Sequence, residues 1–140
     1  MMKEELIQYG ASYDGVWSWA LAEKQEGTSR TGKWMFWPKS EGAIPIWRTI
    51  CELTRSHQLG IQAKMRVEKR DETDALLICV YTRDSEDVED LQRIVDILRE
   101  KVPPHYFLLY KEDTMKRRNA DRRLCKWCVY PNQRTIHVDS

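Results

Sequence analysis

ALLICVY, residues 75–81, is the most apolar run in the chain and reads as the central strand of a sheet. Just before it, residues 61–67 (IQAKMRV) alternate, with Ile61, Ala63, Met65 and Val67 on one face and Lys64 and Arg66 on the other. A short polar turn over 68–74 joins the two, so they are expected to pair as an antiparallel hairpin. Upstream, GKWMFWP (residues 32–38) is aromatic-rich and ends at a proline, as a strand of about five residues should. Its alternation puts Lys33, Met35 and Trp37 on one face and Trp34 and Phe36 on the other.

The helices follow from the intervening periodicity. Trp47, Ile50, Cys51 and Thr54 recur at helical spacing over residues 44–57, with Pro45 in the first turn and Gly60 beyond the end. Downstream, Asp84 or Ser85 is the expected cap of a second helix. Its first turn is acidic, its buried stripe is Val88, Leu91, Ile94, Val95 and Leu98, and Pro103 and Pro104 stop it. HYFLLY (105–110) returns as a strand, and WCVY (127–130) is a candidate last strand. The core is thus α+β, strand-helix-strand-strand-helix-strand over residues 32–111.

A chain of 140 residues is one domain. Residues 1–31 are expected to be a partly ordered N-terminal extension, 32–130 the domain, and 131–140 a C-terminal tail. Within the extension, residues 23–31 read as a polar loop, and Trp17 and Trp19 could alternatively share one face of a short strand. No stretch approaches the roughly 20 apolar residues of a membrane span, and residues 1–10 do not look like a secretory signal. The four cysteines, Cys51, Cys79, Cys125 and Cys128, read as reduced thiols, so a cytoplasmic protein with no membrane partner is expected.

Lys and Arg number 23 against 22 Asp and Glu, so any electrostatic function must be local. The densest basic stretch is 116–126, where Arg117, Arg118, Arg122 and Arg123 could contact phosphates and Trp127 could stack a base. A solvated loop is an equally ordinary use of such a run. Lys33 and Lys64 each sit on a strand expected to border the same sheet face. Two lysines that face one another are costly without an anion between them, so if they converge, with Arg66 and a basic residue of the later segment, they form an anion site. Pointing to solvent on separate edges is the equal alternative. Trp34 and Trp37 are further stacking candidates. Cys125 and Cys128 make a lone C-x-x-C with no further ligands at metal-site spacing, and neither metal nor cofactor is expected. Phosphate-loop, nucleophile-elbow and dinucleotide-binding motifs are absent from the sequence.

Together, GKWM (32–35), W-x-x-I (47–50), LGIQAKM (59–65), LLICVYTRD (76–84) and LYKEDT (109–114) resemble the family of the mammalian basophilic leukemia expressed protein, which also carries the label of a phosphothreonine lyase domain family. The resemblance covers residues 32–130. It implies a fold like the cap-binding translation initiation factor 4E, a curved antiparallel sheet backed by helices, and hence RNA or nucleotide binding. It also implies a lyase alternative. Lys33-Trp34-Met35 resembles the lyase strand that carries lysine and histidine in alternation, and Lys64 looks like the base. Met35 stands where the histidine would be, and a thioether cannot protonate a leaving group. The leading expectation is therefore a non-enzymatic binder of RNA or a phosphorylated nucleotide. A phosphothreonine lyase-like enzyme with Lys64 as base (and Lys33 beside it) and a protein-interaction module are the alternatives.

Overall fold

The computed structural model describes residues 12–22, 30–67, 74–113 and 125–138. Eight strands form one open sheet: β1 (Ser12–Tyr13), β2 (Trp17–Leu21), β3 (Gly32–Phe36), β4 (Gln62–Arg66), β5 (Ile78–Thr82), β6 (Leu108–Glu112), β7 (Cys125–Val129) and β8 (His137–Val138). Their order across the sheet is β1-β2-β4-β5-β3-β6-β7-β8, and every neighbouring pair is antiparallel. Two helices, α1 (Ser40–Arg55) and α2 (Val88–Lys101), complete an α+β fold. The expected core is present, and the sheet extends beyond both expected boundaries. β1 and β2 lie before residue 32, and β8 falls in the stretch read as a tail.

Both helices pack on the same face. Ala43, Ile46, Trp47 and Ile50 of α1 and Leu91, Ile94, Val95 and Leu98 of α2 join Ala20, Trp34, Phe36, Ala63, Met65, Val80, Leu108 and Tyr110 in one buried cluster. The opposite face holds a second, smaller cluster of Met35, Cys79, Tyr81, Leu109, Cys125 and Cys128, edged by Trp17, Trp19, Ile61, Leu77 and Phe107. No helix residue belongs to it. β5 is buried at all five positions because it carries a share of each cluster, as its unbroken apolar run requires.

Local chemistry sets the element ends. α1 starts four residues before its expected first residue because Ser40 is anchored from afar. Its N–H donates to the Asp74 carbonyl (2.8 Å) and its hydroxyl to the Asp74 carboxylate (2.6 Å). Pro45 therefore lies inside the helix rather than in its first turn. The cap of α2 is Asp87, whose carboxylate accepts from the Asp90 N–H, in place of Asp84 or Ser85. Asp84 caps the preceding turn instead, and Ser85 is buried and donates to Glu112. At the other end of α2, the buried Arg99 donates to the carbonyls of Gln133 (2.6 Å) and Tyr130 (2.9 Å), which ties the chain after β7 to the helix.

Two glycines permit close approaches. The Tyr110 ring crosses Gly32, where a Cβ would stand 2.2 Å from the phenol oxygen, and reaches the Thr82 hydroxyl at 2.6 Å. Gly60 lies against the Tyr81 carbonyl, 1.9 Å from where its Cβ would be. That same carbonyl accepts from the Ile61 N–H, so it is held in place. Gly60→Ala should cost about 1–3 kcal/mol in urea unfolding, because backbone must move to admit the methyl. Gly42→Ala, with open space around it in α1, should gain about 0.4–1 kcal/mol in the same experiment.

Candidate functional site

The strand register lays the second face out in cross-strand rows. One runs Trp19, Lys64, Cys79, Met35, Leu109, Cys128 through β2, β4, β5, β3, β6 and β7. The next runs Leu21, Gln62, Tyr81, Lys33, Lys111, Cys125 through the same strands. A shift between Tyr110 and Lys111 in the β6–β7 ladder brings Cys125, rather than Lys126, opposite Lys111. Lys33 and Lys64 thus lie on one face, in adjacent rows, with β5 between them. Both ammonium groups lie over the Tyr81 ring, Lys33 Nζ at 5.3 Å and Lys64 Nζ at 5.8 Å from its centre.

Each lysine has a different setting. Lys33 Nζ bonds the Asp113 carboxylate at 3.0 Å. Lys64 Nζ is held by aromatic faces, 4.0 Å from the Trp17 ring and 5.0 Å from Trp19. Among the described residues it has no carboxylate within ion-pair distance. Burial is the main influence holding Lys64 below the usual lysine range, and the charge of Lys33 adds to it. The aromatic faces act in the opposite sense, since they attract the ammonium form. Beneath the lysines, burial pushes the Cys79 thiol up to about 11 and raises the Tyr81 phenol as well, so the floor is neutral across the physiological range.

The indoles are positioned by the tight turn ahead of β2. Asp14 accepts from the N–H groups of Val16 (3.1 Å) and Trp17 (2.8 Å), and its second oxygen accepts from Trp19 Nε1 at 3.1 Å. These bonds, that to Trp17 first, hold the Asp14 carboxyl below its ordinary value. Trp19 also stacks on Tyr81 at 6.3 Å. Arg66 lies 5.8 Å from the Trp17 ring on the side away from Lys33.

The expected anion-site residues Lys33, Lys64 and Arg66 do share this face. The expected stacking residues do not. Trp34 is fully buried on the helix side, edge-on to Tyr110 at 5.0 Å, so it is core. Trp127 pairs with Tyr110 in the ladder and packs on the same core. The indole N–H groups of Trp34 and Trp127 are buried and find no acceptor among the described residues. Trp37 is exposed, but it follows β3 at the end remote from Lys33, roughly 13 Å along the strand at about 3.3 Å per residue. Arg117, Arg118, Arg122 and Arg123 lie outside the described residues. The aromatic members of the site are Trp17, Trp19 and Tyr81. Their sequence signal was the two-residue spacing of the tryptophans, which puts both on one strand face.

A polar cleft of about 200 Å³ lies elsewhere, lined by His57, Gly60, Arg83, Asp90 and Arg93. Arg93 is committed there to Asp90 and to the carbonyls of Gln58 and Leu59, so the cleft offers less unspent charge than the open face.

The profile of the family described as basophilic leukemia-expressed protein Bles03 matches residues 19–113, which carry β3 to β6, both helices, Lys33, Lys64 and Tyr81. The chain belongs to the Bles03 family. The family assignment expected from the sequence is thereby established, and the matched region takes in most of β2 as well. No curated protein matches the chain. No helix among the described residues is long and apolar enough to cross a membrane.

Lys64 should titrate below the usual lysine range when its ε-methylene resonances are followed by NMR against pH. Lys33→Met removes a like charge and should move Lys64 upward. Titration of Lys64 within the usual lysine range would show that burial does not govern it.

Proposed function

We propose that this member of the Bles03 family is a cytoplasmic, non-enzymatic binder of RNA or a phosphorylated nucleotide, with the sheet face opposite the helices as the contact surface. The observation that carries this reading is the convergence of Lys33 and Lys64 over Tyr81, beside the indoles of Trp17 and Trp19. Two like charges close together on a partly buried face are stabilised by an anion, and phosphate is the anion that an adjoining aromatic surface complements. Arg66 and Lys111 extend the cationic surface along both sides of that centre. The expected likeness to the cap-binding translation initiation factor points the same way. All four cysteines are buried and outside any disulfide, which suits a reducing compartment.

Binding of a nucleoside diphosphate or a short oligoribonucleotide should quench tryptophan fluorescence and weaken with added salt. Lys33→Ala and Lys64→Ala should each cost about tenfold in affinity, the scale of one charge-assisted phosphate contact. Binding that is insensitive to both substitutions would remove this face from consideration.

One observation favours the lyase alternative. A lysine held below its ordinary range is a better proton acceptor at neutral pH, and Lys64 is such a lysine. Met35, two strands away in the same row, supplies no proton to a leaving phosphate. If the lyase reading holds, a phosphothreonine peptide incubated with the protein should release phosphate, and Lys64→Ala should abolish the release. No phosphate release from the unaltered chain would leave the binding reading alone.

A further inference from the structure

We propose that Lys64 is a carbonyl-trapping amine, which condenses with an aldehyde that carries a phosphate group and holds the product as an iminium ion between Trp17 and Trp19. The proposal rests on Lys33 as a phosphate contact, as in the reading above.

The geometry meets the demands of both halves of that reaction. Attack needs a neutral amine at a fixed place. Lys64 is fixed by Trp17 at 4.0 Å and Trp19 at 5.0 Å, and Asp14 in turn holds the Trp19 indole. Burial and the nearby Lys33 both disfavour its proton. The neutral nitrogen attacks the carbonyl carbon, a C–N bond forms, the C=O π pair moves to oxygen, and a proton passes from nitrogen to that oxygen through solvent to give a carbinolamine. Protonation of that hydroxyl from solvent lets the C–O bond break, water leaves, and the nitrogen lone pair forms the C=N bond of the iminium. The positive charge reappears on the same nitrogen. The ring faces that hold an ammonium there hold the iminium as well, so the cage retains the cationic product once it has formed.

The phosphate has a place one row away. Lys33 Nζ spends one of its three donors on Asp113 and, like Lys64 Nζ, lies over the Tyr81 ring. Lys111 is its cross-strand neighbour. An aldehyde phosphate condensed on Lys64 would direct its phosphate along the sheet toward this pair of lysines.

The test uses pyridoxal 5′-phosphate as the probe on the full chain, with borohydride reduction and mass spectrometry of the peptides. Lys64 should be modified about tenfold faster than the exposed Lys39 and Lys101, as a desolvated lysine reacts. Pyridoxal without phosphate should modify Lys64 more slowly, and Lys33→Met should abolish that difference. Lys64→Arg should remove the site while leaving the thermal unfolding temperature unchanged, since a guanidinium also sits on indole faces. Uniform labelling of the three lysines overturns the proposal, and so does equal labelling of Lys64 by the two probes. Nucleotide binding with uniform labelling overturns the proposal and leaves the binding reading standing. Fast, phosphate-dependent labelling of Lys64 without nucleotide binding supports the proposal and overturns that reading.

Discussion

Both helices of this fold cover the same face of an eight-stranded sheet, and that asymmetry dictates what the other face must be. Met35, Cys79, Leu109 and Cys128 project from it as an apolar floor that neither α1 nor α2 shields. Exposed in full, such a floor would lose its transfer free energy of roughly 25 cal/mol per Å². Among the described residues, Trp17, Trp19, Ile61, Leu77 and Phe107 pack against this floor. Two of the groups that cover it, Trp17 and Trp19, are therefore the same groups that hold the Lys64 ammonium.

Register makes this arrangement possible. Because side chains alternate strictly, a slip of one residue in β3 would send Lys33 into the helix-side core and bring Trp34 out. Large buried residues fix the setting. Trp34, Tyr110 and Trp127 stand in line across β3, β6 and β7, and Tyr110 passes over Gly32 to its bond with Thr82. Gly60 does a comparable job where β4 meets β5. The lysines are aimed by packing on the opposite side of the sheet, where they make no contact themselves.

Much of this was written in local pattern. The apolar run of β5 and the alternation in β3 and β4 announced a hairpin within a sheet, and the same alternation put Lys33 and Lys64 on faces away from Phe36, Ala63 and Met65. Period-2 patterns say which side chains share a face, but not which face the helices will cover. Alternation alone therefore leaves Trp34 a stacking candidate, whereas the helices bury it in the core. Trp17 and Trp19 lay in a stretch too short for alternation to decide, and their strand exists because β4 offers it a partner. The early start of α1 depends on Asp74, 34 residues away from Ser40, so no local signal marked it. Ile61, expected beside Ala63, packs on the opposite cluster because it lies outside β4, just after the contact between Gly60 and Tyr81.

Among the described residues, the outermost strands, β1 and β8, contribute two residues each to the ladder. A strand added at either border would gain a ladder far shorter than the usual five or six residues. Long, flat borders are what allow sheets of separate molecules to fuse, and very short ones are a recognised defence against it. Among the described residues, the two borders of the sheet thus carry their own protection against edge-to-edge growth.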